Sequence, residues 1–171
     1  LNSYYSFLKE QDEDGSLFYW FATGDNFVYS VYFKTDEYSQ YTQNFPLLLK
    51  TGYAFGFRKT PQTRSLRGKA FDPKVFPTIR QIINDFFDSS GNETMLLYHC
   101  DTSDKKQEKR SRLFNIWEHK AKVTHLERHA VEVFINETHY CLGFITPTKN
   151  PDLESIKIEF NDFAYFIVQE K

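Results

Sequence analysis

Two cysteines, Cys100 and Cys141, are all the thiols in this 171-residue chain, and each sits inside a short apolar run. That is too few for a disulfide framework, so the expected state is a pair of reduced, buried thiols in a reducing cytosol. Long apolar runs are missing too. The longest, Leu17 to Ala22, is far too short to cross a bilayer, and the first residues show neither the basic start nor the apolar run of a signal peptide. A cytoplasmic chain without a membrane partner is therefore expected. Net charge is nearly absent at −2, which removes any global drive toward nucleic acid or acidic lipid. A glycine-rich phosphate loop, a metalloprotease helix and a nucleophile elbow are also lacking, as are internal repeats and low-complexity tracts. No cofactor is implied by these patterns.

Aromatic rings are what the chain has in excess. Eighteen Phe, 11 Tyr and 2 Trp make 18% of its residues. Each ring buries roughly 150–250 Å², so a few of them build a core or a binding face. The length suits one compact domain over residues 1–171, with an irregular acidic lead-in over 1–16. Charge is unevenly placed. Glu10, Asp12, Glu13, Asp14, Asp25, Asp36 and Glu37 crowd the first 40 residues against Lys9 and Lys34. Lys50, Arg58, Lys59, Arg64, Arg67 and Lys69 then follow, with no acid between Glu37 and Asp72.

Leu17 to Phe33 reads as a hairpin. With Gly24-Asp25 as a two-residue turn, Phe18, Trp20 and Ala22 share a face with Phe27, Tyr29 and Val31, while Leu17, Tyr19 and Phe21 join Val28, Ser30 and Tyr32. Both faces are largely apolar, so either helices cover both sides or the Tyr-bearing side is open to a partner. Phe45 to Leu49 resumes an apolar run and, with a strand at Tyr53 to Phe57, completes four early strands. Ala54 and Gly56 leave one face of that last strand nearly bare. Residues 59–70 form a basic loop.

A helix is expected from Asp72 as N-cap and Pro73 as first residue, burying Val75, Phe76, Ile79, Ile82, Ile83, Phe86 and Phe87 until Ser89-Ser90-Gly91 stops it. Leu96 to Tyr98 is a buried strand, and a second helix runs from about Asp104 to His119. Val131, Val133 and Ile135 pair through an Asn136-Glu137 turn with Thr138, Tyr140 and Leu142. The last helix starts at Asn150-Pro151 and buries Leu153, Ile156, Phe160, Phe163, Ala164 and Ile167. The order ββββαβαββα describes an α+β fold, a mainly antiparallel sheet with three main helices.

Functional groups concentrate between Met95 and Trp117. Asp101, Thr102, Ser103 and Asp104 occupy a strand-to-helix turn, where free N–H groups and the helix dipole favour a carboxylate or a bound anion. The plainest use of Ser103 or Asp104 is to cap the helix. Asp104, Gln107, Glu108 and Ser111 also share a helix face, which with Asp101 offers oxygen ligands for a divalent cation. Arg110 and Arg112 suit phosphate or a partner's carboxylate. His99 and Cys100 are neighbours on a strand and point to opposite faces, so they form no dyad. Among His119, His125, His129, His139 and Cys141, only His125 and His129 have a compact ligand spacing, and a chance His-rich connector explains them better than zinc. Arg58, Lys59, Arg64, Arg67 and Lys69, with Lys105, Lys106, Lys109, Arg110 and Arg112, can line a basic face for nucleic acid, with Tyr32 or Tyr53 available for stacking.

Several motifs occur in one order: FxTxxxxxYxVxF through Phe21, Thr23, Tyr29, Val31 and Phe33, then FGF at Phe55 to Phe57, DP followed by TIxxIIxxFF, and LLYxCDxSDxKQxxRxRLFxxW from Leu96 to Trp117. Together they resemble an uncharacterised bacterial domain-of-unknown-function family, number 6169, over nearly the whole chain. The resemblance implies a bacterial, cytoplasmic protein and no particular activity. The expectation is thus a non-catalytic binding module. It would recognise a protein partner, or secondarily nucleic acid, through the junction at residues 99–112 and the basic loop, using Asp101, Ser103, Asp104, Gln107, Glu108, Arg110, Arg112, Arg58, Arg64 and Arg67. The alternative is a metal-dependent hydrolase or nuclease built on Asp101, Asp104 and Glu108. Oligomeric state has no signature in the sequence.

Overall fold

The computed structural model describes residues 3–63, 72–100 and 125–170, apart from the side chain of Cys100. Seven strands form one sheet in the order β1-β2-β3-β4-β5-β7-β6. They are β1 (Leu8–Gln11), β2 (Leu17–Ala22), β3 (Phe27–Lys34), β4 (Gly52–Pro61), β5 (Met95–Cys100), β6 (Leu126–Ile135) and β7 (Thr138–Pro147). Neighbours are antiparallel except β4 and β5. That parallel pair is joined through a helix, as parallel strands require. The helices among the described residues are α1 (Pro46–Lys50), α2 (Val75–Ser90) and α3 (Leu153–Gln169). The class is α+β with a mostly antiparallel sheet, as the sequence pattern implies.

The β2–β3 hairpin is one residue out of the expected register, which exchanges the two faces of β2 relative to β3. Phe21 pairs with Tyr29 and Tyr19 with Val31. The reason is a third loop residue. The amide of Asn26 donates to the Thr23 carbonyl at 3.2 Å, and Asn26 then turns left-handed at φ 62°. Such a turn closed by a left-handed residue is the usual three-residue alternative to a two-residue hairpin. The β6–β7 hairpin keeps its expected register, Ile135 with Thr138 and Val133 with Tyr140. Here Asn136 and Glu137 both have positive φ, 47° and 63°, the geometry that matches the twist of a tight hairpin.

Two other segments differ from expectation. Phe45 to Leu49 belongs not to a strand but to α1 and its N-cap, because Pro46 starts the helix and Glu159 of α3 accepts the Leu48 amide at 2.5 Å. A short apolar run carries no period to separate the two states. Conversely, Leu8–Gln11 in the acidic lead-in is an edge strand with all four residues exposed, paired with β2 after a turn through Gly15 at φ 89°. Charged side chains are what an edge strand tolerates best.

The two long helices turn the expected apolar residues inward, Phe76 and Leu153 being only partly buried, but begin later. Asp72 and Asn150 do not cap them. Each side-chain oxygen instead accepts the amide two residues on, from Lys74 at 2.9 Å and Asp152 at 3.0 Å, and the helices follow from Val75 and Leu153. This is the local turn such side chains favour. Gly91 ends α2 at φ 86°.

Each helix covers one half of the sheet, on opposite sides. α2 packs Ile79, Ile82, Ile83 and Phe86 against Tyr19, Val31, Phe33 and Phe55 of β2 to β4. α3 packs Ile156, Phe160 and Phe163 against Leu97, Leu142 and Phe144 of β5 and β7. The backbones of Cys100 and Cys141 pair in register across β5 and β7, and Cys141 is buried.

A charged clamp fixes the first half. The Tyr19 hydroxyl, on a fully buried ring, donates to Asp85 at 2.7 Å, and Lys9 of β1 donates to the same oxygen at 2.9 Å. Burial pushes the Asp85 carboxyl up, but the hydrogen bonds from Lys9 and Tyr19 outweigh it and hold the carboxyl below its ordinary value. A carboxyl depressed by folding adds stability above its unfolded value, near 3.9, and loses it as pH falls through the folded value. Asp85→Asn should therefore lower the melting temperature at neutral pH, and its gap from wild type should close as pH falls below about 4. A gap independent of pH would show that the clamp is not ionic.

Candidate functional site

The diagonal placement of the helices leaves two quadrants of the sheet uncovered by them, one of them on β2 to β4. On the face of β2 to β4 opposite α2, side chains line up in two rows across the strands. One row runs from Phe18 through Tyr32 to Gly56, and the next from Trp20 through Ser30 to Arg58. The rows follow from the period-2 alternation of strands whose other side chains are in the core. Phe18 and Trp20 lie nearly parallel, 19° apart with centroids at 6.0 Å. The Tyr32 ring lies over Gly56, so the space that a side chain at 56 would fill is taken by the phenol. The bare face expected at Ala54 and Gly56 is thus roofed by a neighbouring ring.

These residues border an open groove of about 980 Å³. Tyr38 and His99 close its far end, the Tyr38 hydroxyl 3.4 Å from His99 Nδ1. The Tyr38 ring packs edge-on against Phe163 at 5.4 Å, which ties that end to α3. Burial pushes the Tyr38 phenol well above its ordinary value, and the nearby charge of Glu37 adds to the effect. Burial also raises the Tyr32 phenol, helped by Glu37 and opposed by Arg58. Both phenols keep their protons at neutral pH and can donate hydrogen bonds. Lys34 holds its ammonium 5.0 Å from the Tyr32 ring centre. Arg58 is exposed on the opposite wall, and no carboxylate pairs with it among the described residues. Chemically, the groove offers flat rings for stacking, phenol donors and cationic heads.

Of the residues expected to form a site, only Arg58 is described, and it lines this groove. His99, at the start of the junction 99–112, lines it as well. Asp101, Ser103, Asp104, Gln107, Glu108, Arg110 and Arg112, with Arg64 and Arg67, lie outside the described residues. Among the described residues, no three His, Cys, Asp or Glu side chains converge as metal ligands. Tyr53, the other ring considered for stacking, packs against Phe86 at 5.1 Å in the core instead. Phe18 and Trp20 were not singled out by sequence reasoning. Their signal was the doubly apolar hairpin, and the one-residue register shift placed them against the wrong partners. No helix among the described residues is long and apolar enough to cross a membrane.

The model of a family of unknown function, DUF6169, matches residues 71–162, a stretch that holds α2, β5, β6, β7 and the first part of α3. The resemblance expected over nearly the whole chain is found over that part, and β1 to β4 precede it. Comparison with curated proteins and with solved structures returned no match.

Proposed function

The chain belongs to the DUF6169 family, whose function is unknown, and from its geometry we propose that it is a non-catalytic binding module of the bacterial cytoplasm whose recognition surface is the groove across β2, β3 and β4. The observation that carries this reading is the group of rings Phe18, Trp20 and Tyr32 on a sheet face that neither α2 nor α3 covers. A stable domain gains from burying such rings, and grouped apolar surface beside polar residues is characteristic of interaction sites. Leu8 extends the patch. It is 73% exposed and sits opposite Trp20 in register. The occupant is an extended segment of another macromolecule, because the groove is an open trough across several strands, whereas small-molecule sites enclose most of their ligand.

Ligands selected from a random-peptide display library and from a random single-stranded oligonucleotide pool test the reading. At least one is expected to shift the NMR signals of Trp20 and Tyr32, and to lose affinity about tenfold or more against Trp20→Ala or Arg58→Glu, the cost of a central anchor. Ligands that map elsewhere, unchanged binding by both variants, or no ligand from either pool would each overturn it.

A further inference from the structure

We infer that the groove takes single-stranded nucleic acid, its bases stacked on Trp20, Phe18 and Tyr32 and its phosphates held by Arg58 and Lys34. This rests on the groove being the recognition surface and names the chemistry of its occupant. The first argument concerns what the backbone can offer. An extended peptide draws affinity from main-chain hydrogen bonds added to a sheet edge. The groove lies on a sheet face, where the main chains of β2, β3 and β4 are already spent on one another. Its ligand must therefore be held by side chains, through ring faces and charge. A single strand of nucleic acid supplies a partner for each, because every base has a π-face and every linkage carries an anion.

Charge points the same way. Lys34, Arg58 and Lys59 line the groove against one carboxylate, Glu37. Lys59 turns its ammonium to the Phe27 ring on the other face, at 4.0 Å, so two cations serve the groove itself. Its basic wall, β4, also lies within the acid-free stretch between Glu37 and Asp72. The rows are arranged to use both features. Trp20 and Arg58 flank the small Ser30, and Phe18 stands next to Tyr32 in the adjacent row. Rings on β2 and β3 therefore stand beside the Arg58 cation on β4, as bases stand beside phosphates along a strand. A duplex hides its base faces in its own stack and cannot use the rings.

The test is fluorescence anisotropy at low salt with labelled RNA and DNA oligomers of about ten nucleotides, a length within the span of single-strand sites. Each oligomer is measured single-stranded and annealed to its complement. Single strands are expected to bind and duplexes to bind more weakly. Trp20→Ala should cost about 5- to 150-fold, the range for loss of one base stack. The log–log salt slope should be about −1.4 for two phosphate contacts, and Arg58→Ala should reduce its size by about 0.7. Arg58 is exposed, so this variant keeps the fold, and its melting temperature verifies that. Tighter binding of RNA than DNA would assign a role to the 2′-hydroxyl, and equal binding would leave recognition to rings and charge, both within the inference. No single-strand binding, preference for the duplex, or a salt slope unmoved by Arg58→Ala would overturn it. If oligonucleotides fail while a selected peptide binds wild type and not Trp20→Ala, the nucleic-acid inference falls and the groove stands as a peptide site. If neither class of ligand responds to Trp20→Ala or Arg58→Glu, both readings fall.

Discussion

Replacing Phe86 with alanine is expected to remove about 3–5 kcal/mol of folding stability. That is a large share of the roughly 5–15 kcal/mol that holds a typical domain together. Phe86 is fully buried in the C-terminal half of α2. Its ring stacks on Phe33 at 4.5 Å with an interplanar angle of 4°, and meets Tyr53 at 5.1 Å and Phe87 at 5.2 Å edge-on. Phe33 in turn contacts Tyr19 and Phe55. The truncation therefore breaks the centre of a chain of ring contacts, rather than one pair at its margin. Collapse around the cavity is restricted, since Phe33 and Tyr53 stand on paired strands, and a cavity that cannot close costs the most. Urea denaturation measures the loss, and a melting temperature lower by roughly 6–20 °C should accompany it. Tyr165→Ala, on the same scaffold but 56% exposed, should stay within about 0.5 kcal/mol of wild type. A loss at Phe86 as small as that at Tyr165 would show that the ring chain is not what holds α2 to the sheet.

Gly143→Ala should destabilise by about 1–3 kcal/mol, although alanine in a strand is ordinarily better than glycine by roughly 0.5–1 kcal/mol. The reversal comes from Tyr98, the direct partner of Gly143 across β5 and β7. Its phenol occupies the space a methyl group at 143 would need. Nor can the ring step aside cheaply, because Arg128 of β6 donates to its hydroxyl at 2.7 Å and its side chain is buried. Tyr32 over Gly56 is the same construction in a different setting. That ring borders the open groove, so Gly56→Ala can displace it into solvent at smaller cost. The informative quantity is the difference between the two urea midpoints. Equal losses at Gly143 and Gly56 would rule out the tether as the cause.

How far such features can be read from sequence depends on whether a local signal decides between alternatives. The stripes of α2 and α3 were legible because seven and six apolar residues, respectively, recur at helical spacing, and no strand satisfies that pattern. The β6–β7 register was legible because Asn136-Glu137 leaves room for only one tight turn. Between β2 and β3, however, Asn26 adds a third loop residue whose left-handed conformation no pattern announces, and this single residue sets Tyr19 opposite Val31 and Trp20 opposite Ser30. The apolar run 45–49 was ambiguous, and a carboxylate 111 positions away settles its helical state. As for the site, Tyr32 and Arg58 were legible as a ring and a cation, but not as members of adjacent rows, because that adjacency is a property of strand register.

Alternation along β2, β3 and β4 has a further consequence, for heritable variation. Phe18 and Trp20 are interleaved with Leu17, Tyr19 and Phe21, and Ser30 and Tyr32 with Tyr29, Val31 and Phe33. Neighbours on a strand point to opposite faces, so a mutation in the groove set does not touch the core set. The side chains of the groove can drift one residue at a time, while the packing under α2 is inherited unchanged. Tyr32 and Gly56 are the exception. The ring rests where a larger residue would stand, so a change at Gly56 also moves the Tyr32 ring.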